Sequence, residues 1–220
     1  MASKNHNKSK VKKEISKGSV LLYLGTFLLS AGIIALAAIS GGSSEYPSWA
    51  KTTGAPIEIG SSEAPKVIDI YEDFQCPGCG QFERLSGEVI NKAIEDKSAR
   101  VRYHLMSFLG PESVRAANAS ACAVDEGNFT DFHTILFQTQ PSKGSGGYSI
   151  DSLIDIGQAL GFSAKFESCV RDSKYRSWVT DVNNLANSDG IESTPTVKID
   201  GEVIPISSLE PESLKGLISK

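Results

Sequence analysis

Apolar and polar positions divide the 220-residue chain into stretches of different character. Val20 to Ser40 runs 21 residues without a charge (VLLYLGTFLLSAGIIALAAIS). At about 1.5 Å rise per residue, a helix of that length suits one bilayer crossing. From Pro56 the pattern becomes globular. Ile57 to Ile59 predicts a short edge strand and Val67 to Tyr71 a stronger one. Phe82, Leu85, Val89, Ile90 and Ala93 recur at helical spacing, which predicts a helix with one buried face. Val101 to Met106 predicts a third strand. The order β-β-α-β points to parallel pairing through a crossover helix.

The middle of the chain, about Gly110 to Asp172, turns helical. Pro111-Glu112-Ser113 suits a helix start, and Ala116 to Ala123 is small and close-packing. Ile150, Leu153, Ile154 and Leu160 mark one amphipathic piece, and Phe162, Phe166, Cys169 and Val170 another. The glycine-rich stretch from Lys143 to Gly147 is mobile by composition. A further helix carries Trp178, Val182 and Leu185 on one side. Thr196 to Ile199 and Val203 to Ile206 flank Asp200-Gly201, a two-residue hairpin signal. Leu209 to Ile218 predicts a closing helix.

Charge changes the picture at the N-terminus. Six lysines and one acid precede Val20, and no lysine lies just after Ser40, which places residues 1–19 in the cytoplasm. A retained signal anchor over residues 20–40 is the preferred reading, with cleavage near Ala35-Leu36-Ala37 as the alternative. Both deliver the rest of the chain outside the cytoplasm. Residues 41–55 read as a flexible linker, in which Tyr46 and Trp49 are ordinary linker aromatics or interfacial anchors. Of the 22 basic and 26 acidic residues, 16 and 25 lie beyond Ser40, a net −9 there. That balance argues against nucleic acid or anionic lipid as a partner.

The chemistry concentrates in Cys76-Pro77-Gly78-Cys79, between a predicted strand and a predicted helix. A cysteine at a helix N-terminus meets free N–H groups and the positive end of the macrodipole, which favour its thiolate. Pro77 suits the first helical turn, and Gly78 leaves the sulfur unshielded. Redox exchange is the reading, with Cys76 attacking and Cys79 resolving. A structural disulfide and half of a zinc site are the rivals. Zinc needs a second ligand pair, which the isolated Cys122 and Cys169 do not supply, so neither metal nor cofactor is expected. His104 and His133 read as satisfied structural residues, and Glu72 and Asp73 as solvated loop charges. Thr194-Pro195, just before a strand, reads as a bulge or as an ordinary turn.

The segment from Asp73 to Cys79 resembles the active-site signature of DsbA-like thiol:disulfide oxidoreductases. Ile191 to Val197, with Asp200-Gly201, resembles their cis-proline loop and hairpin. The likeness spans about residues 56–220. It implies an α/β thioredoxin fold with an inserted helical domain, about residues 110–172, behind one N-terminal transmembrane helix. It implies that Cys76 and Cys79 are catalytic and that Pro77, Gly78, Thr194 and Pro195 face the substrate. Reduced exported proteins would be the substrates, and a quinone-linked membrane reoxidase or small oxidants would restore the disulfide. The lysine-led span suggests a membrane-tethered, monomeric member of the kind Gram-positive bacteria use. Some such members carry a second cysteine pair, which favours a Cys122–Cys169 disulfide over two buried free thiols. Two departures stand out. Ile70 occupies the position, six before the first cysteine, where many members carry an acid. Gly78 occupies one where strong oxidants carry histidine.

Overall fold

The computed structural model describes residues 45–219. The expected cytoplasmic tail and membrane span lie outside the described residues. Among those described, no helix is long and apolar enough to cross a membrane. Five strands, β1 (Ile57–Ile59), β2 (Lys66–Glu72), β3 (Ala99–Leu105), β4 (Thr196–Ile199) and β5 (Glu202–Val203), form one sheet in the order β1-β3-β2-β4-β5. β2 and β3 run parallel, joined by helix α1 (Pro77–Glu95), while the other pairs are antiparallel. Five helices separate β3 from β4. They are α2 (Pro111–Asp125), α3 (Phe129–Gln138), α4 (Ile150–Ala159), α5 (Ala164–Arg171) and α6 (Arg176–Ser188). Helix α7 (Pro211–Ile218) closes the chain.

The central strand β2 is buried on both sides, so it reads as a near-continuous run rather than a clean alternation. Ile68, Ile70 and Glu72 share one side with Tyr103 of β3; Asp69 and Tyr71 share the other with Arg102 and His104. Asp69 is satisfied there by Arg102 and by His104 at 2.8 Å, and His104 stacks on Tyr71. In α2 the alanines at 116, 117, 119, 121 and 123 are fully buried, which lets neighbouring helices approach closely. Cys122 of α2 is disulfide-bonded to Cys169 of α5.

Four local expectations are corrected. The linker reading fails from Pro47 onward: Trp49 packs edge-on against Trp178 at 5.2 Å, and Trp178 Nε1 donates to the Ala55 carbonyl. The aromatics of this stretch are therefore spent on the folded domain. The second hairpin strand ends at Val203, because Pro205 has no N–H for the ladder and Ile206 opens a 3-10 turn. Asp200 (φ 51°) and Gly201 (φ 87°) adopt the two positive φ values of a tight hairpin turn. Leu85 and Leu185, placed on buried faces by spacing, are 47% and 38% exposed. The glycine-rich loop is pinned: Gly144 N–H donates to Gln75, and Gly146 and Tyr148 N–H donate to the Glu112 carboxylate.

Candidate active site

Cys76 is the N-cap of α1, and Pro77 occupies the first helical position. The first turn itself holds no acidic side chain to offset the positive end of the helix. Cys76 and Cys79 are both free thiols. The Cys76 thiol is pulled down to about 5. The largest cause is a hydrogen bond from Cys79. Partial burial opposes it, and the Thr194 side chain and the N–H groups of Cys79 and Gly78 reinforce it. As a thiol, Cys76 Sγ donates to the Thr194 carbonyl at 3.3 Å. Cys79 moves the other way. Burial pushes it far up, and the hydrogen bond to Cys76 and the Glu72 charge add to the effect. Cys76 is thus favoured as the anion at neutral pH, and the more deeply buried Cys79 is held as the proton donor.

Glu72 and Asp73 overturn the reading as solvated loop charges, since both are 0% exposed. Strand alternation turns Glu72 inward beneath α1, and Asp73 accepts from the N–H groups of Gln75 (2.8 Å) and Leu109 (3.2 Å) to fix the turn into the helix. Glu72 Oε1 meets His133 Nε2 at 2.6 Å, and its carboxyl faces that of Glu83, one turn after Cys79. Burial raises Glu72 well above the usual carboxylate range, and burial together with Glu72 lifts Glu83 to about 8. His133 is depressed by burial and stays neutral. An acid therefore does lie beneath the dithiol, four positions before Cys76 rather than six.

The Thr194-Pro195 peptide bond is cis, and Pro195 stands across from the dithiol. A Cβ on Gly78 would come within 3.3 Å of Pro195 Cδ and 3.7 Å of Cys76 Sγ, so the glycine leaves the space between the proline and the sulfur unfilled. Gly78, Phe82, Leu85, Thr194, Pro195 and Ile206 line an open groove of about 240 Å³ beside Cys76. Leu85 and the 73% exposed Ile206 give it apolar rims. Gly78, Thr194 and Pro195 line this groove, with Cys76 against Thr194 and Cys79 buried beneath the first turn of α1. Cys122 and Cys169 sit in the helical insert and take no part in it.

Gln140 has no local sequence signal, yet its side-chain amide donates to the carbonyls of Phe74 (2.8 Å) and Cys76 (2.9 Å). It ties the insert to the active-site turn, and Gly80 is there because a Cβ would lie 2.1 Å from Gln140 Oε1. Gln140→Ala leaves the Phe74 carbonyl unpaired, and is expected to lower stability by about 1–2 kcal/mol in urea unfolding. Glu72 and Glu83 were findable in principle. Alternation with Ile68 and Ile70 points Glu72 inward, and the i, i+4 step from Cys79 brings Glu83 to the same face.

The family model described as Thioredoxin matches residues 52–220. Among curated relatives, the serine/threonine-protein kinase PknE of Mycobacterium tuberculosis is 34% identical over 127 residues, covering 52% of this chain. The match takes up 22% of that kinase, so this chain spans about a fifth of its length. Disulfide bond formation protein D of Bacillus subtilis is 27% identical over 157 residues, covering 69% of this chain and 70% of that protein. Among solved structures, the reduced form of the disulfide bond oxidoreductase DsbG from Mycobacterium tuberculosis superposes with a TM-score of 0.67 at 29% identity. It covers 76% of this chain and 88% of its own.

Proposed function

The chain belongs to the thioredoxin family, and we propose that within it this protein is a DsbA-like thiol:disulfide oxidoreductase that oxidises exported proteins. The observation that carries the reading is the pairing of an acidic Cys76 with a buried, protonated Cys79 at the start of one helix. In the oxidised enzyme a substrate thiolate attacks Cys76 Sγ. The Cys76–Cys79 bond breaks, and Cys79 leaves and takes up a proton. A second substrate thiolate then attacks the substrate sulfur of the mixed disulfide and expels Cys76 as a thiolate. Two electrons pass to the enzyme and one disulfide forms in the substrate.

The oxidising direction follows from which state the site stabilises. Hydrogen bonds and the helix N-terminus favour the Cys76 anion, which exists only in the reduced enzyme, so they pull the dithiol form downhill and make the disulfide a good oxidant. The apolar groove beside Pro195 suits unfolded segments of many sequences rather than one fixed ligand. An N-terminal anchor at residues 20–40 would hold the domain on the outer side of the membrane, within reach of a quinone-linked reoxidase or of small oxidants.

Equilibration of the protein with glutathione tests the direction. A reduction potential nearer −120 mV than −270 mV is expected. A value near −270 mV would mark a reductase of the same fold instead.

A further inference from the structure

We propose that Glu72, Glu83 and His133 form a binding site for a divalent first-row transition cation, buried between the sheet and the active-site helix. One donor atom from each lies within 4.8 Å of the other two. Zinc bonds of about 2.0–2.2 Å to oxygen and nitrogen set tetrahedral donors about 3.4 Å apart, so small side-chain shifts complete the geometry. The His133 to Glu72 contact opens slightly and the wider separations close.

Three independent features point to a ligand rather than to a finished hydrogen-bond network. Glu72 is 0% exposed, and its Oε2 has no donor facing it; Glu83 Oε1 is likewise out of solvent without a donor. Buried carboxylate oxygens left this way are costly, and only a proton or a cation between the two carboxyls removes the cost. Next, compensating charge is lacking. Among the described residues neither Glu72 nor Glu83 has a lysine or arginine ion pair, and neighbouring Arg84 spends Nη1 on the Phe137 carbonyl. A divalent ion seated among the three would supply the positive charge that no neighbouring side chain brings. Finally there is a way in. A groove of about 340 Å³, lined by Glu83, Gly87, Thr134, Phe137 and Gln138, runs between α1 and α3.

The donor set selects the ion. One imidazole nitrogen with two carboxylate oxygens suits zinc, cobalt or manganese and lacks the multiple hard oxygens that calcium takes. Three protein ligands leave a fourth position for water from the groove, an open rather than a closed site. The assignment does not depend on the direction of thiol exchange.

The test uses the full-length protein, stripped with chelator, in its reduced and disulfide forms. Cobalt(II) is the spectroscopic probe, and zinc(II) is counted by equilibrium dialysis. One equivalent should bind, with a visible d–d absorption for cobalt. Binding should survive in the Cys76→Ser/Cys79→Ser protein and weaken at least about tenfold in Glu83→Gln and His133→Gln. Glu83 borders the groove, so its variant is the one least exposed to a folding defect, and thermal unfolding of the stripped protein checks this. Absence of binding in both redox states overturns the site. So does binding that persists in a folded Glu83→Gln protein and vanishes when the two active-site cysteines are replaced, because the dithiol would then be the ligand. Neither outcome touches the glutathione equilibrium, which tests the oxidase reading separately.

Discussion

Cys76→Ser is expected to reduce oxidation of a reduced test protein by about three orders of magnitude or more, because no second group can form the mixed disulfide. Cys79→Ser should instead accumulate that mixed disulfide, visible on a non-reducing gel. The wild-type chemistry should carry a pH signature. Iodoacetamide reacts with the thiolate, so its rate against the reduced protein should rise to half its plateau near pH 5, the value to which Cys76 is held. An ordinary cysteine would reach that point near pH 8.5. Stability should follow the same ionisation. The folded-state value lies below the unfolded one, so the thiolate contributes its full stabilisation above about pH 9 and loses it as pH falls through about 5. At pH 7 this amounts to about 3 kcal/mol in the reduced protein and none in the disulfide form. Urea unfolding of both forms at pH 4 and pH 7 checks it. A reduced form with no extra gain at pH 7 contradicts the assignment of Cys76 as the anion.

Replacing Cys122 and Cys169 together by alanine should cost stability without costing chemistry. Their bond joins α2 to α5 across a sequence separation of 47. Closing a loop of that size in the unfolded chain is worth roughly 4 kcal/mol at most on the chain-entropy account. For a domain of this size such a loss shifts the melting temperature by about 8–16 °C. Calorimetry of the oxidised protein measures the shift. The pH profile of Cys76 alkylation should be unchanged, since neither cysteine contacts the active-site turn.

The elements that the sequence revealed are those whose chemistry is local. Proline at the first position of α1, the apolar runs of β2 and β3 and the Asp200-Gly201 turn each act within a few residues, and each was legible. The two halves of the site were also legible as motifs. What was hidden depends on partners far along the chain. Glu72 looks solvated until His133, 61 residues later, is seen to cap it. Gln140 is one polar residue among many until the fold carries it to the carbonyls of Phe74 and Cys76. Leu85 has the spacing of a core residue, but α1 lies at a groove there, and the leucine becomes part of the rim. Trp49 reads as linker because its partner, Trp178, sits in a helix across the chain.

The outer strands of the sheet, β1 and β5, have three and two residues. A long unpaired margin invites foreign chains to zip on by main-chain bonding, and brief ones deny them a foothold. For a protein proposed to meet unfolded polypeptides repeatedly, that brevity is a safeguard against co-aggregation with its own clients. Visitors are left to dock where the sulfur is, and to depart once their bond is made.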